Sequence, residues 1–384
     1  MNIGVDIRSL LEKERSGVGE YTYQILDALF CIDKENNYFL FYNSWKKVEE
    51  DFLGEWKKNS NVRLCGFRWP NKLLNFCFKF LKWPKVDKMI LLKDKIDLFF
   101  IPNLNFIALS RGVKKMITVH DLSFEFFPRF FSWKRRLWHW FVNPQKIICG
   151  ADKIISVSEN TKNDLVKLYG VPVEKVGVIY SGVGRELEIV NDELGIDKIR
   201  KKYNLPNNFI LFLGTLEPRK NIEGLVRAFE ILRGNQKSEI VNLKLLIVGP
   251  RGWLYKKILA RAKKSPARDD IKFIDYIAPE EKKYFYKLAR LFVYPSFYEG
   301  FGFPPLEAAR AGTPVVVSTN SSLPEVMGEA AFLVDPNNPA EMAKAMEQCL
   351  TNENFRANLI EKGKKQAEKF NWEDCARQFL LLIS

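Results

Sequence analysis

Residues 291–318 read LFVYPSFYEGFGFPPLEAARAGTPVVVS. An apolar run, LFVYPS, gives way to a stretch broken by glycine and proline, then to a helical segment, then to a second apolar run, TPVVVS. Two short strands joined through a helix form the repeating unit of a parallel sheet. Pro304 and Pro305 disfavour helix in the residues before them and suit the first positions of a helix. The stretch therefore predicts a loop over Glu299–Phe303 and a helix over Leu306–Arg310, with Glu307 in its first turn. Gly300 and Gly302 let the loop pass close to a ligand, with the backbone amides of Phe301–Phe303 facing it. A carboxylate at a helix start is common for Glu307, but Glu299 has no such explanation. Carboxylates that accept paired hydroxyls grip sugars and riboses, so this spacing fits a ligand with two polyol parts and a phosphate between them.

The same alternation runs through the rest of the 384 residues. NIGVDI, YFLFYN, DLFFIPN, KMITVHD and KIISVS read as strands with helical or loop stretches between them, and FILFLGT, LKLLIVG, IKFIDY, LFVYPS and TPVVVS form a second series. The fold class is α/β with two Rossmann-like parallel sheets. The charged stretch RELEIVNDELGIDKIRKKYNLPNN joins them, which places domains at 1–190 and 191–368 and leaves 369–384 as an amphipathic tail helix.

Ligands of open parallel sheets bind beyond the carboxyl ends of the strands, so the loops there hold the candidate site. After NIGVDI comes RSGVGEYTYQI, where Gly17 and Gly19 flank Val18 just before a helix; a plain turn would give the same pattern. After FILFLGT comes LEPRKNIEGLVRAF, with Arg219 and Lys220 at a helix start. Cations there oppose the helix dipole unless an anion is present, which argues for a phosphate, although a surface basic pair remains an alternative. His120, in KMITVHD, sits at the carboxyl end of a strand where a cleft-facing side chain would be, although a histidine satisfied within the core remains an alternative. The Walker pattern GxxxxGK[ST] does not occur, so a P-loop enzyme is not indicated.

Composition narrows the classes further. Six cysteines without a CxxC pair and only two histidines suggest neither disulfides nor a zinc site, and all six thiols are expected to be buried. No apolar run is long enough for a membrane span and the N-terminus reads as a strand rather than a leader, so a cytoplasmic protein is expected. The net charge is +14. FRWPNKLLNFCFKFLKWPK and FPRFFSWKRRLWHWF interleave cations with aromatics and carry no acid, a pattern suited to an anionic membrane surface and equally available to a solvated basic face. Nucleic-acid signatures are lacking, so no nucleic-acid partner is expected.

SGVGEYT, VHDLSF, GTLEPRKN, SFYEGFG and AGTPVVVSTNSSLPEV occur in the order found in retaining GT-B glycosyltransferases of the family-four group, and EGFGFPPLE matches that group's E-x7-E motif. The chain resembles this family over almost its whole length. The resemblance implies two domains facing across a cleft, with the tail 369–384 packing back on the first. It implies that Arg219 and Lys220 hold a diphosphate, Glu307 the ribose, and Glu299 with Phe301, Gly302 and Phe303 the donor sugar. Gly17 and Gly19 would approach the sugar phosphate, His120 the sugar or acceptor, and Ile277 would line the base pocket. Thr215 stands where many relatives carry arginine, which leaves charge neutralisation to Arg219 and Lys220. With no Asp-x-Asp sequence, the reaction is expected to need no metal.

The segments also resemble mannosyltransferases of surface-polysaccharide assembly. The implied function is transfer of a sugar, with GDP-mannose the favoured donor, to a glycan or lipid-linked glycan at the inner face of a membrane. A nucleotide-sugar epimerase of the same fold and a non-catalytic membrane scaffold are the rival readings.

Overall fold

The computed structural model describes residues 1–11, 17–45, 54–91, 95–184, 187–188, 192–234 and 242–384. Chain contacts divide it into two compact units. The first comprises Met1–Leu122, Leu137–Gly182 and Trp372–Ser384, and the second Ser123–Arg136 and Val183–Asn371. The join expected between residues 190 and 191 lies outside the described residues.

The first unit is built on a parallel sheet of β1 (Asn2–Asp6), β2 (Asn37–Asn43), β3 (Val62–Phe67), β4 (Leu98–Ile101), β5 (Lys114–Val119), β6 (Lys153–Ser156) and β7 (Val176–Val178). Its order is β3-β2-β1-β4-β5-β6-β7. The second unit holds β8 (Phe209–Leu213), β9 (Lys244–Val248), β10 (Ile271–Ile274), β11 (Leu291–Tyr294), β12 (Val315–Ser318) and β13 (Phe332–Val334), in the order β10-β9-β8-β11-β12-β13. All described pairings are parallel, as in Phe209↔Lys244 and Phe292↔Val315. Central strands such as β8 and β11 are buried at every position, because helices cover both faces, and they read as unbroken apolar runs for that reason. Each sheet reverses direction once, between β1 and β4 in the first and between β8 and β11 in the second. Such switch points open a crevice at the carboxyl ends of the strands.

Two segments join units that their neighbours in sequence do not. Helix Trp372–Ile383 belongs to the first unit, where Phe379 meets Phe100 of β4 at 4.9 Å and the Cys375 thiol donates to the Tyr180 carbonyl. Ser123–Arg136, expected within the first domain, belongs to the second. Phe126 stacks on Tyr298 at 5.4 Å, Phe130 on Phe297 at 5.4 Å and Phe131 on Trp253 at 5.3 Å, and the Trp253 indole donates to the Phe130 carbonyl. Phe131 is buried in these contacts and Phe130 half-buried, while Phe126 stays 42% exposed.

The thiols correct another expectation. Cys77, Cys349 and Cys375 are buried, whereas Cys31 and Cys149 are exposed and Cys65 is half-buried. Among the described residues no helix is long and apolar enough to cross a membrane.

Candidate active site

The second unit's switch point carries a compact charge cluster. After β8 the chain turns through Gly214–Glu217 into a short 3-10 turn, Pro218–Lys220, and then into helix Ile222–Gly234. Asn221 makes the junction at φ +54° and is held there by its amide, which donates to the Pro336 carbonyl at 2.7 Å. After β11 the chain runs through Tyr298 and Glu299 towards the proline pair. The Phe297 amide donates to the Arg219 carbonyl at 2.9 Å, which ties the two loops together.

Between these loops Arg219 Nη1 donates to Glu299 Oε2 at 3.0 Å and Lys220 Nζ donates to Glu299 Oε1 at 2.6 Å. Lys220 also donates to the Tyr294 hydroxyl at 2.6 Å, and Arg219 Nη1 to the Tyr298 carbonyl at 2.7 Å. Glu217 completes the set, accepting from Arg219 Nε at 2.9 Å and lying 2.8 Å from Nη2. Two cations thus face two carboxyl groups, and Glu217, Lys220 and Glu299 are all buried. Burial alone would raise the pKa of Glu299, but Arg219 and Lys220 outweigh it and hold the carboxyl at about 2. Burial pushes Glu217 up and Lys220 down, because desolvation disfavours the charged form of each.

The loop carrying Glu299 is pinned from the β12 side. The Glu299 amide donates to Ser321 Oγ at 2.8 Å, and Ser322 Oγ lies 3.0 and 2.9 Å from the carbonyl oxygens of Glu299 and Phe301. Ser321 adopts φ +54°, a conformation costly for a side chain with a Cβ and retained here by that bond. Gly302 sits at φ +105°, and a Cβ there would lie 2.6 Å from Leu323 Cδ2. Only glycine fits both the backbone and the space.

The helix that follows spans Phe303–Arg310. It starts at Phe303, three residues before the expected Leu306, with Pro304 and Pro305 inside its first turn. Glu307 therefore lies beyond that turn, and a first-turn dipole contact does not account for it. Instead the Tyr286 hydroxyl donates to Glu307 Oε2 at 2.6 Å, and Lys282 Nζ lies 3.6 Å from Oε1. Burial, reinforced by the Glu307 carboxylate, keeps the Tyr286 phenol protonated. Glu307 is half-buried, its side chain 14% exposed. Ile277, in the loop after β10, is buried.

In the first unit, Gly17 and Gly19 lie within the first turn of helix Gly17–Ile32 rather than ahead of it. A Cβ on Gly17 would meet nothing within 4 Å. His120 follows β5 directly, with Nε2 2.8 Å from the Pro102 carbonyl and its ring edge-on to Tyr21 at 4.8 Å. That carbonyl can only accept, so Nε2 carries the proton and Nδ1 the lone pair of the neutral ring. Burial lowers the His120 pKa from its ordinary 6.5, which favours this neutral form.

Two features escaped the sequence reading. Glu217 lies two residues before Arg219, in a loop already singled out by its place after β8. At the switch point of the first sheet, Arg8 Nη2 pairs with Asp6 at 2.6 Å and donates to the Phe106 carbonyl at 2.8 Å, with its guanidinium over the Phe41 and Phe78 rings. Both could have been found by reading every charged residue in a loop after a strand, not only the basic and glycine-rich ones.

Two family matches together take in both halves of the chain. Glycosyltransferase Family 4 matches residues 16–187, and Glycosyl transferases group 1 matches residues 195–366. The chain belongs to the family-four glycosyltransferases of the GT-B fold. As such it is an enzyme that transfers a glycosyl group from a nucleotide sugar to a glycan acceptor. O-antigen chain mannosyltransferase B of Escherichia coli is 28% identical over 94% of this chain and 94% of its own. The serotype-specific mannosyltransferase WbdA of the same organism is 32% identical over 59% of this chain and 28% of its own length. Among solved structures, sucrose-phosphate synthase from Thermosynechococcus elongatus superimposes with a TM-score of 0.75 at 21% identity, over 100% of this chain and 98% of that one, a likeness of fold.

Proposed function

We propose that this glycosyltransferase moves mannose from GDP-mannose, with retention at the anomeric carbon and without a metal ion, to a hydroxyl of a lipid-linked surface polysaccharide at the inner face of a membrane. The observation that carries the reading is the pair of half-buried Arg219 and buried Lys220 at the switch point between β8 and β11, where a diphosphate would meet two fixed cations. The similarity to O-antigen chain mannosyltransferase B supports mannose as the sugar and a polysaccharide as the acceptor.

In this reading Arg219 and Lys220 stabilise the charge that grows on the departing diphosphate as the glycosidic bond breaks and the anomeric carbon takes on oxocarbenium character. Glu299 orients the transferred sugar together with the Phe301–Gly302–Phe303 loop. Glu307 takes the ribose hydroxyls and Ile277 lines the base pocket. Gly17, Gly19 and His120 serve the sugar phosphate and acceptor from the first unit, with His120 neutral.

Thermal-shift screening of sugar nucleotides, followed by a transfer assay, tests the proposal. GDP-mannose should give the largest stabilisation, activity should survive excess chelator, and the product should carry the donor's anomeric configuration. A strict requirement for magnesium or manganese would end the metal-free reading. Release of an epimerised sugar nucleotide without any acceptor would replace the transferase reading altogether.

A further inference from the structure

The later basic-aromatic stretch divides in two, and only its second part joins the earlier stretch in one surface. Phe127, Phe130 and Phe131 of the later stretch pack on Tyr298, Phe297 and Trp253, and Arg135 lies over the Trp253 ring at 4.1 Å. Those residues have protein partners. The remainder of the stretch does not bury its rings. In helix Trp133–Val142 only Val142 is buried, while Leu137, Trp138, Trp140 and Phe141 are exposed, Trp140 to 78%.

The earlier stretch meets this helix within the first unit. Helix Asn71–Phe76 runs into a wider π-type turn, Cys77–Leu81, whose inner residues Cys77 and Phe78 are buried. Its outer side chains, Leu73, Phe76, Phe80, Leu81 and Trp83, are each at least half exposed. Phe76 touches Phe80 at 4.8 Å and Phe80 touches Phe141 at 6.0 Å, which joins the two stretches into one continuous surface. Lys79 fastens the joint, with its ammonium 3.1 Å from the centre of the Phe141 ring. In the same two stretches Arg68, Lys72, Lys82 and Lys146 are exposed, and no acid occurs in 68–86 or 126–151.

Monomeric proteins rarely leave so many large apolar rings together in water. Rings set among cations and free of acids complement a bilayer whose headgroups are anionic and whose interface accepts tryptophan and phenylalanine. We infer that this surface, formed by helix Asn71–Phe76, the turn Cys77–Leu81 and residues 137–141, is where the enzyme seats on an anionic lipid bilayer. The inference rests on the membrane reading above and gives it a place. It also removes Phe127, Phe130, Phe131 and Arg135 from that contact. Trp138 and Trp140 would enter the interface while Lys72, Lys82 and Lys146 meet phosphates.

Co-sedimentation of the full chain with vesicles of phosphatidylcholine, alone or mixed with phosphatidylglycerol, tests both levels. The wild type should bind the mixed vesicles and release as salt rises, since screening shortens the reach of the lysines. Phe80→Glu/Trp140→Glu should weaken that binding at least tenfold. Lys256→Glu/Lys257→Glu, which puts two acids in place of exposed cations of the second unit and so makes at least as large a charge change, should leave it within about twofold. The altered rings are exposed, so thermal unfolding and nucleotide binding of the ring variant should match wild type. Quenching of tryptophan fluorescence by brominated lipid should be strong in wild type and lost in Trp138→Phe/Trp140→Phe.

Failure of the wild type to bind mixed vesicles would overturn the membrane reading and this inference with it. Wild-type binding that Phe80→Glu/Trp140→Glu retains would overturn only the assignment of the surface. Equal affinity for neutral vesicles, or a self-associated wild type that the ring variant converts to monomer without any lipid binding, would overturn it as well.

Discussion

Glu299 and Glu307 stand at the two ends of one motif and live in opposite surroundings. Glu299 is 6% exposed and clamped by Arg219 and Lys220, so in the unliganded protein it fills the place of an anion. Glu307 is half-buried, accepting from the Tyr286 hydroxyl at 2.6 Å, with Lys282 Nζ 3.6 Å away. A carboxylate that already neutralises two cations must share them or yield when a diphosphate arrives. A carboxylate steadied by one phenol is ready to receive hydroxyls as it stands. In the proposed reading the motif couples a carboxylate that senses charge to one that holds a ligand in place.

The largest effect expected from this contrast is on turnover. Glu299→Gln should lower kcat on the order of a hundredfold or more, the loss of one well-placed electrostatic contact near the reacting carbon. The same change frees Arg219 and Lys220 from their internal partner. Nucleoside diphosphate should therefore bind the variant at least as tightly as wild type, measured by calorimetry; weaker binding would show that Glu299 does not compete for those cations. Next comes Glu307→Ala, which should raise the donor KM about tenfold with kcat changed less than about threefold, because contacts remote from the breaking bond serve ground and transition states alike. A collapse of kcat in this variant would erase the distinction between the two carboxylates.

Gly302→Ala probes the link between them. Its backbone conformation and the contact with Leu323 should cost about 2 kcal/mol of stability, seen as a lower Tm with the charge cluster otherwise intact. Acid titration separates the pair by another route. Glu299 has a folded pKa of about 2 against an ordinary 4.5, so its ion pairs stabilise the second unit fully above pH 4.5 and lose that contribution as pH falls towards 2. Denaturant unfolding of wild type should weaken across that window more steeply than that of Glu299→Gln. The smallest effect is expected from Tyr286→Phe, a two- to threefold rise in donor KM, since it removes only the bond that steadies Glu307.

Much of the second sheet was readable because its central strands are buried on both faces and appear as plain apolar runs. The strands that escaped, β3, β7 and β13, all lie at sheet edges. In β3, Arg63 and Gly66 are exposed and the run VRLCGF has no continuous apolar signal. Arg219, Lys220 and Glu299 were legible as chemistry, through their positions after strands. Their mutual pairing was not, because residues 80 apart meet only once the sheet has formed. Sequence pattern likewise could not divide the aromatic stretch at residues 126–146, whose two parts differ only in distant partners such as Trp253 and Phe80.

Helix Trp372–Ile383 gives the chain an unusual order of assembly. The first unit starts at residue 1, yet Phe379 reaches Phe100 across about 280 residues of sequence. During synthesis every residue of the second unit is joined before residues 372–384 are, so the earlier unit is the last to receive all its parts. Until then the faces of Tyr21 and Phe100 that meet Trp372 and Phe379 are uncovered, a window in which a nascent chain is prone to stick to others. Expression at high concentration should thus be limited by the first unit, and a chaperone that binds apolar surface should engage the chain there, before its last helix is made.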